Sequence, residues 1–218
     1  MTKNKTQDIL EEIYQKLFSR FGKQHWWPAQ TQFEVIVGAI LTQNTNWANV
    51  EKAINNLKKN KLLAPKKLYL LPEKKLAAFI VSAGYYNIKA KRLKAFMGFF
   101  FKNYNGSVKK MASRDTVRLR RELLSVKGIG PETADSILLY ALNKLVFVVD
   151  AYTKRIFSRH GFIHEDTDYH QVQDLFMQSM KKDIQLFNEY HALIVRLGKD
   201  FCLKKKPRCE ICPLKSQK

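Results

Sequence analysis

The sequence lacks any apolar run close to the ~20 residues that cross a membrane as a helix, and it has only nine glycines and six prolines in 218 residues. These shortages exclude a membrane bundle, a collagen-like chain and a Pro/Gly-rich disordered chain. The first twenty residues carry acidic side chains in a helical pattern and lack the apolar segment and cleavage site of a secretory signal. We therefore expect a globular, cytoplasmic protein without a membrane partner, built as one large domain or two small ones.

Acidic residues are scarce as well, because 19 Asp and Glu stand against 39 Lys and Arg, which gives a formal net charge of +20. Such an excess of one sign repels itself within a folded chain, and a polyanionic partner explains it most simply. Nucleic acid is the leading interpretation. An anionic membrane surface and a generally basic proteome are the alternatives.

Cysteine is rare, and its three copies all fall between residues 202 and 212. An odd number in one short segment does not form a disulfide framework. The cluster therefore suggests metal ligands.

Apolar residues recur at spacings of three and four along most of the chain and strand-like alternation is rare, which predicts an all-α fold. Asp8 is expected to cap the first helix and Gly22 to end it. Helices at 116–124 and 131–142 are expected to form a hairpin, preceded by a basic helix at 87–101. Other helices are predicted at 32–40, 47–57, 151–160, 171–180 and 187–197.

The turn of this hairpin contains two glycines, Gly128 and Gly130, followed by Pro131 at the first position of the second helix. Neither glycine has a Cβ to block a phosphate, and the N–H groups at a helix start, at the positive end of its dipole, can donate to phosphate oxygens. Such contacts bind any nucleotide sequence. The alternative is an ordinary turn between helices in which the glycines serve only as a C-cap.

An apolar run, residues 145–149, delivers Asp150 to the start of a helix. As a cap, its carboxylate would accept from the N–H of Tyr152 or Thr153. As a catalyst, it would stabilise positive charge on C1′ of a sugar while a glycosidic bond breaks, and orient a water for attack. The two roles are compatible, and the sequence leaves both open.

Five segments occur in one order along the chain: QNTN, GYYNIKAKRLK, VKGIGPETADSILLYA, VVDAYTKRIFSRHG and a C-x6-C-x2-C pattern. Together, over about residues 30–212, they resemble the helix-hairpin-helix DNA glycosylases of the endonuclease III type. The resemblance implies a two-lobed all-α fold that holds double-stranded DNA, flips one nucleotide out and hydrolyses its N-glycosidic bond. It implies one lobe at 30–145, ending in the helix-hairpin-helix at about 116–142, and a second made of 1–29 and 146–218, with the cysteine loop at 198–218. We expect a monomer.

The resemblance also assigns residues. Asp150 falls at the catalytic aspartate, although Val149 stands where the family often has a proline. Gln43 falls where the family inserts a side chain into the gap left by the flipped base; the alternative is a polar residue in a surface turn. Glu132 replaces the lysine that forms a Schiff base in endonuclease III, and a carboxylate cannot do so. The sequence therefore predicts a glycosylase that uses water and has no lyase step.

The segment WWPAQTQFEVIVGAILTQNTNWANV resembles most the branch of bacterial 3-methyladenine DNA glycosylases. Aromatic faces favour an electron-poor, alkylated base, so Trp26 and Trp47 are predicted to line the base pocket, with Trp27 the weaker candidate. Glu132 would add attraction to the positive charge and is the second predicted catalytic residue. The alternative for the tryptophans is core packing. His191 is expected to be a packed structural side chain.

Cys202, Cys209 and Cys212 match three of the four cysteines that hold a [4Fe–4S] cluster in this family, and the fourth falls at Lys218. A cluster with a different fourth ligand, a zinc ion and free thiols remain open. Phosphate contacts are predicted for residues of the turn and of the basic helix: Lys127, Gly128, Gly130, Thr133, Lys89, Lys91 and Arg92. Lys94 of the basic helix is a further candidate. The rival functions are a bifunctional endonuclease III that acts on oxidised pyrimidines, and a helix-hairpin-helix protein that binds DNA without catalysis.

Overall fold

The structure, a computed structural model, describes residues 3–215. It consists of helices and turns, with no strand among the residues described, so the predicted all-α fold class is confirmed. The chain divides into two compact units: the described residues of Met1–Pro28 and Leu145–Lys218 make one, and Ala29–Lys144 makes the other. No helix in the described part is long and apolar enough to span a membrane.

The unit Ala29–Lys144 is built around helix α2 (Gln32–Leu41), of which all but the first residue are buried. Thr31 caps this helix through its side chain. Helix α2 packs against α3, α6, α9 and the turn that follows α9. The remaining helices of this unit are α3 (Trp47–Lys59), α4 (Pro65–Leu70), α5 (Glu73–Phe79), α6 (Tyr86–Tyr104), α7 (Val108–Ala112), α8 (Thr116–Leu124) and α9 (Pro131–Ser136).

The other unit contains α1 (Lys3–Phe21), α10 (Ala151–Arg159), α11 (Tyr169–Ser179) and α12 (Ile184–Asp200). Helix α12 packs against both α1 and α10. The core between these helices is aromatic, with the rings of Phe147 and Phe176 stacked at 3.8 Å. The buried hydroxyl of Tyr190 donates to the carbonyl of Leu10 at 2.9 Å, which joins α12 to α1.

Two helix predictions are wrong in instructive ways. Helix α1 begins at Lys3, so Asp8 lies inside the helix and does not cap it. Helix α9 ends at Ser136, and Ile137–Ala141 continues as a π-helical turn, whereas one α-helix was predicted to residue 142. All five residues of that turn are buried, so the apolar pattern gives no sign of where the hydrogen bonding changes.

Candidate functional site

The helical hairpin predicted from the two glycines is held together by a buried ion pair. The guanidinium of Arg120 in α8 donates to both carboxylate oxygens of Asp135 in α9, at 2.7 and 3.0 Å. Asp135 has no exposed surface. A two-pronged contact of this kind fixes the angle between the two helices as well as their distance.

The two glycines of the turn differ in their backbone conformation and in the space around them. Gly128 has φ +89°, and a Cβ at this position would lie 2.4 Å from Cγ of Arg92, so both the backbone and the neighbouring helix require glycine. A Cβ on Gly130 would meet no atom within 4 Å. The space beside Gly130, at the start of α9, is therefore open, and Lys127 of the same turn is exposed.

Gln43 is hydrogen-bonded to three residues that the sequence assigns to phosphate binding, namely Gly128, Thr133 and Arg92. Nε2 of Gln43 donates to the carbonyl of Gly128 and to Oγ1 of Thr133, both at 2.9 Å. Oε1 of Gln43 accepts from Nη1 of Arg92. The amide of Gln43 thus ties the hairpin turn to helix α6, and its insertion into a DNA gap stays a prediction.

The predicted phosphate contact of Lys89 is wrong. Its side chain is only 1% exposed, and Nζ donates to the carbonyls of Leu41 at 2.8 Å and Ala83 at 2.7 Å. Burial, together with the smaller effect of the nearby Arg92 charge, lowers the pKa of Lys89 to about 8. Lys89 therefore joins the end of α2 to the start of α6, while Lys91 lies on the exposed side of α6.

The burial of Lys89 could have been predicted from the spacing of apolar residues in α6. Lys89 precedes the buried Leu93 by four residues, which places both on one face of the helix. Lys94 also binds within the protein, since Nζ donates to the carbonyl of Leu71 at 2.9 Å. A lysine at a core position of a helix indicates a buried ammonium that caps carbonyl groups, and such a residue is unavailable to a phosphate.

Tyr85 is an exposed aromatic residue that the sequence analysis did not select. It lies directly before α6, in a left-handed backbone conformation, and its side chain is 70% exposed. An exposed aromatic ring beside a basic helix is suited to stacking on a nucleic-acid base. The sequence contains a signal for this exposure, because Gly84 ends the preceding helical turn and places Tyr85 at the junction before α6.

In the other unit, Asp150 caps α10, as one of its two predicted roles requires. Oδ1 accepts from the backbone N–H of Thr153 at 2.8 Å and from Oγ1 of the same residue at 2.9 Å. Oδ2 lies 3.6 Å from Nε2 of His191, and the carboxyl side chain is 11% exposed. One oxygen is thus anchored by the helix start, while the other faces a buried imidazole.

Trp26 lies beside this carboxylate and imidazole pair. Its ring meets that of His191 edge-on at 6.4 Å, and Nζ of Lys199 lies 5.8 Å above the indole. Trp27 follows through a cis peptide bond and packs edge-on against Trp26. The structure therefore places Trp26 and Asp150 beside the same residue, His191, whereas Trp47 begins α3 in the unit Ala29–Lys144.

Glu132 is the second residue of α9 and is exposed. A carboxylate in the first turn of a helix interacts favourably with the helix dipole. The position predicted for the family's lysine therefore carries a negative charge at the open end of the hairpin.

The cysteine loop is wrapped around two arginines of α10. Nε of Arg155 donates to the carbonyl of Cys202 at 2.9 Å. Arg159 donates to Sγ of Cys202 at 3.4 Å and to the carbonyls of Leu203 at 2.7 Å and Lys204 at 2.9 Å. These bonds fix the first half of the loop.

None of the three cysteines forms a disulfide bond. Burial raises the pKa of the Cys212 thiol, the backbone N–H of Leu214 lowers it, and the nearby Cys202 and Cys209 raise it by smaller effects. Within residues 3–215, no three His, Cys, Asp or Glu side chains are close enough to hold a single metal ion. Lys218, which stands at the family's fourth cysteine, lies outside the described residues.

Comparison with known proteins gives consistent results. A family model described as the HhH-GPD superfamily of base excision DNA repair proteins matches residues 37–182. A putative DNA repair glycosylase of Methanocaldococcus jannaschii is 52% identical over 210 residues, covering 95% of this chain and 94% of the relative.

Two solved structures have similar folds. The H. pylori 3-methyladenine DNA glycosylase bound to 1,N6-ethenoadenine is 31% identical, with a TM-score of 0.76 and coverage of 91% of this chain and 98% of that one. A non-covalent complex of endonuclease III with DNA is 25% identical, with a TM-score of 0.82 and coverage of 100% and 95%. Sequence and fold thus indicate the same group of proteins.

Proposed function

We propose, from the premise that this chain belongs to the HhH-GPD superfamily of base excision DNA repair proteins, that it removes alkylated purines from duplex DNA with water as the nucleophile. The family makes it an endonuclease III-like DNA glycosylase, an enzyme that acts on N-glycosyl bonds. The observation that carries the finer proposal is Glu132, which stands in the first turn of α9 where a lyase needs an amine.

Asp150 is the proposed catalytic carboxylate. The bond between C1′ and the base nitrogen breaks, its electron pair leaves with the base, and C1′ gains positive charge. A carboxylate held at Oδ1 by two donors from Thr153 stabilises that charge without having to reorient. A water oxygen then bonds to C1′, and Asp150 takes up the proton that the water loses.

The proposed base pocket selects for positive charge. The face of Trp26 already attracts the ammonium of Lys199, and each contact of an aromatic face with a cationic base contributes about 0.5–2 kcal/mol. Trp47 and the carboxylate of Glu132 are proposed to act on the same base. The H. pylori glycosylase that binds 1,N6-ethenoadenine supports an adenine-derived ligand.

The proposed DNA contacts lie on the hairpin and on α6. The open side of Gly130 and the exposed Lys127 suit a phosphate of either strand. Arg92 and Thr133 are proposed to contact the phosphate from the network that Gln43 organises. The similarity to an endonuclease III–DNA complex supports duplex DNA as the partner.

We also propose that Cys202, Cys209 and Cys212 bind three irons of a [4Fe–4S] cluster. The irons of such a cluster occupy separate corners of a cube, so its sulfur ligands need not converge on one point as the ligands of zinc do. The C-x6-C-x2-C spacing, which matches three of the four cluster cysteines of this family, supports a shared ligand set. When bound, the cluster cross-links the loop, and it takes no part in the hydrolysis.

The test is a comparison of base release from three duplexes, carrying methylated purines, an oxidised pyrimidine or uracil, each with and without borohydride. We expect release of the methylated purine and no covalent adduct, because only a Schiff base is trapped by reduction. Preferred release of the oxidised pyrimidine together with a trapped adduct would contradict the proposal and favour a bifunctional endonuclease III. Duplex binding without release of any base would favour a non-catalytic protein.

A further inference from the structure

His191 occupies a position that core packing alone does not explain. It lies in the middle of α12, and its side chain is 6% exposed. Its ring contacts Phe147 edge-on at 6.3 Å, as a packed residue would. It also contacts Trp26 edge-on at 6.4 Å, and Nε2 faces Oδ2 of Asp150 at 3.6 Å.

The separation of 3.6 Å is just beyond hydrogen-bonding distance. Oδ1 of Asp150 already accepts two hydrogen bonds from Thr153, so Oδ2 is the oxygen left to accept from a second donor. Contacts of this kind are often long in a free enzyme and shorten when substrate binds.

Burial lowers the pKa of His191, while the charge of Asp150 acts in the opposite direction and is the smaller effect. The imidazole is therefore neutral near pH 7 and carries one proton. With that proton on Nε2, the ring is a donor toward Asp150 and adds no charge to the site. Lys199 on the same helix and Tyr152 on α10 are the neighbouring titratable groups, and burial, followed by the charge of Asp150, raises the pKa of Tyr152.

We propose that His191 is a positioning residue: its neutral imidazole donates from Nε2 to Oδ2 of Asp150 and supports the indole of Trp26 with its ring edge. The carboxylate and one wall of the base pocket are thereby set by a single buried side chain. This inference rests on the proposed function, since it assigns His191 a part in the reaction of Asp150.

The experiment compares two variants of the full-length protein. His191→Gln keeps an N–H donor close to the position of Nε2, whereas His191→Met keeps a similar volume and removes the donor. Single-turnover release of a methylated purine and duplex affinity are measured for each, with thermal unfolding as the check on folding.

We expect His191→Met to slow single-turnover release by about 10- to 100-fold, since misplacement of a reacting group by about 1 Å costs up to about 100-fold. Its duplex Kd should change by less than about threefold, and His191→Gln should recover most of the rate. Unchanged release in His191→Met, or equal loss in both variants, would overturn the inference and leave His191 as a packing residue.

A second measurement needs no activity and therefore separates this inference from the proposed function. NMR titration of the His191 imidazole should give a lower pKa in Asp150→Asn than in the unmodified protein, because the carboxylate charge that favours the protonated ring is gone. An equal pKa in both would show that the two groups do not interact. If the pKa shifts but the unmodified protein releases no base, the contact is real and the proposed function is wrong.

Discussion

Replacing Arg120 by Met is expected to loosen the hairpin on which the proposed DNA contact depends. The substitution leaves the fully buried carboxylate of Asp135 without the guanidinium that donates to both of its oxygens. Removing one partner of a buried ion pair typically costs 3–5 kcal/mol. Because the side chain of Arg120 is 20% exposed, we expect a loss near the lower end, about 3 kcal/mol of unfolding free energy.

The chain offers a matched control in the same helix. Arg118 pairs with Glu122 at 3.0 Å, but its side chain is 63% exposed. Arg118→Met should therefore cost less than about 1 kcal/mol. Both variants keep the helix propensity of α8, since arginine and methionine have similar values.

The assay is urea unfolding followed by far-ultraviolet circular dichroism, combined with duplex binding at one salt concentration. Arg120→Met should lower the unfolding midpoint and weaken duplex binding, whereas Arg118→Met should leave the midpoint nearly unchanged. An equal and small loss of stability in both variants would refute the reasoning, because the buried pair would then contribute no more than an exposed one.

Four further predictions follow from particular contacts. Lys91→Ala should lower the slope of log Kobs against log salt by about 0.9, as expected for one phosphate contact, and an unchanged slope in anisotropy titrations would remove Lys91 from the interface. The pKa of Lys89 is lowered to about 8 in the folded state, so the folded state loses this proton at a lower pH than the unfolded state does. Urea unfolding should therefore show the free energy of unfolding rising from pH about 8 to about 10.4. Lys89→Met should remove this rise, and a fall in the unmodified protein would contradict the assignment of Lys89 as a buried ammonium. Glu132→Gln should slow release of a cationic methylated purine more than release of a neutral lesion, and equal slowing would exclude the electrostatic role. Anaerobically purified protein should contain iron and show a broad visible absorbance that Cys209→Ser abolishes, whereas a colourless, iron-free preparation would contradict the cluster.

Much of the fold was predictable because helix signals are local. The periodicity placed α8 at the residues observed, and the glycine turn with Pro131 marked the start of α9. The family resemblance and the all-α fold class are both confirmed. The cap formed by Asp150 was also predictable, since it depends on a residue three positions further along the chain.

The contacts that join distant segments were not predictable. Gln43 binds the hairpin across 85 residues of sequence, and His191 faces Asp150 from another helix. Spacing along the chain does not encode such pairs, because they depend on how helices pack. Lys89 differs from its prediction for another reason: a positive charge favours a phosphate contact, but this residue lies on the buried face of α6.

The central claim is that Asp150 performs the chemistry of base removal, and Asp150→Asn tests it most directly. Asparagine keeps a side-chain oxygen that can cap α10 and removes the negative charge, so folding and duplex affinity should be retained. Single-turnover release of a methylated purine from duplex DNA should fall to background in this variant. Release at the rate of the unmodified protein, measured on a duplex that both proteins bind equally well, would contradict the account.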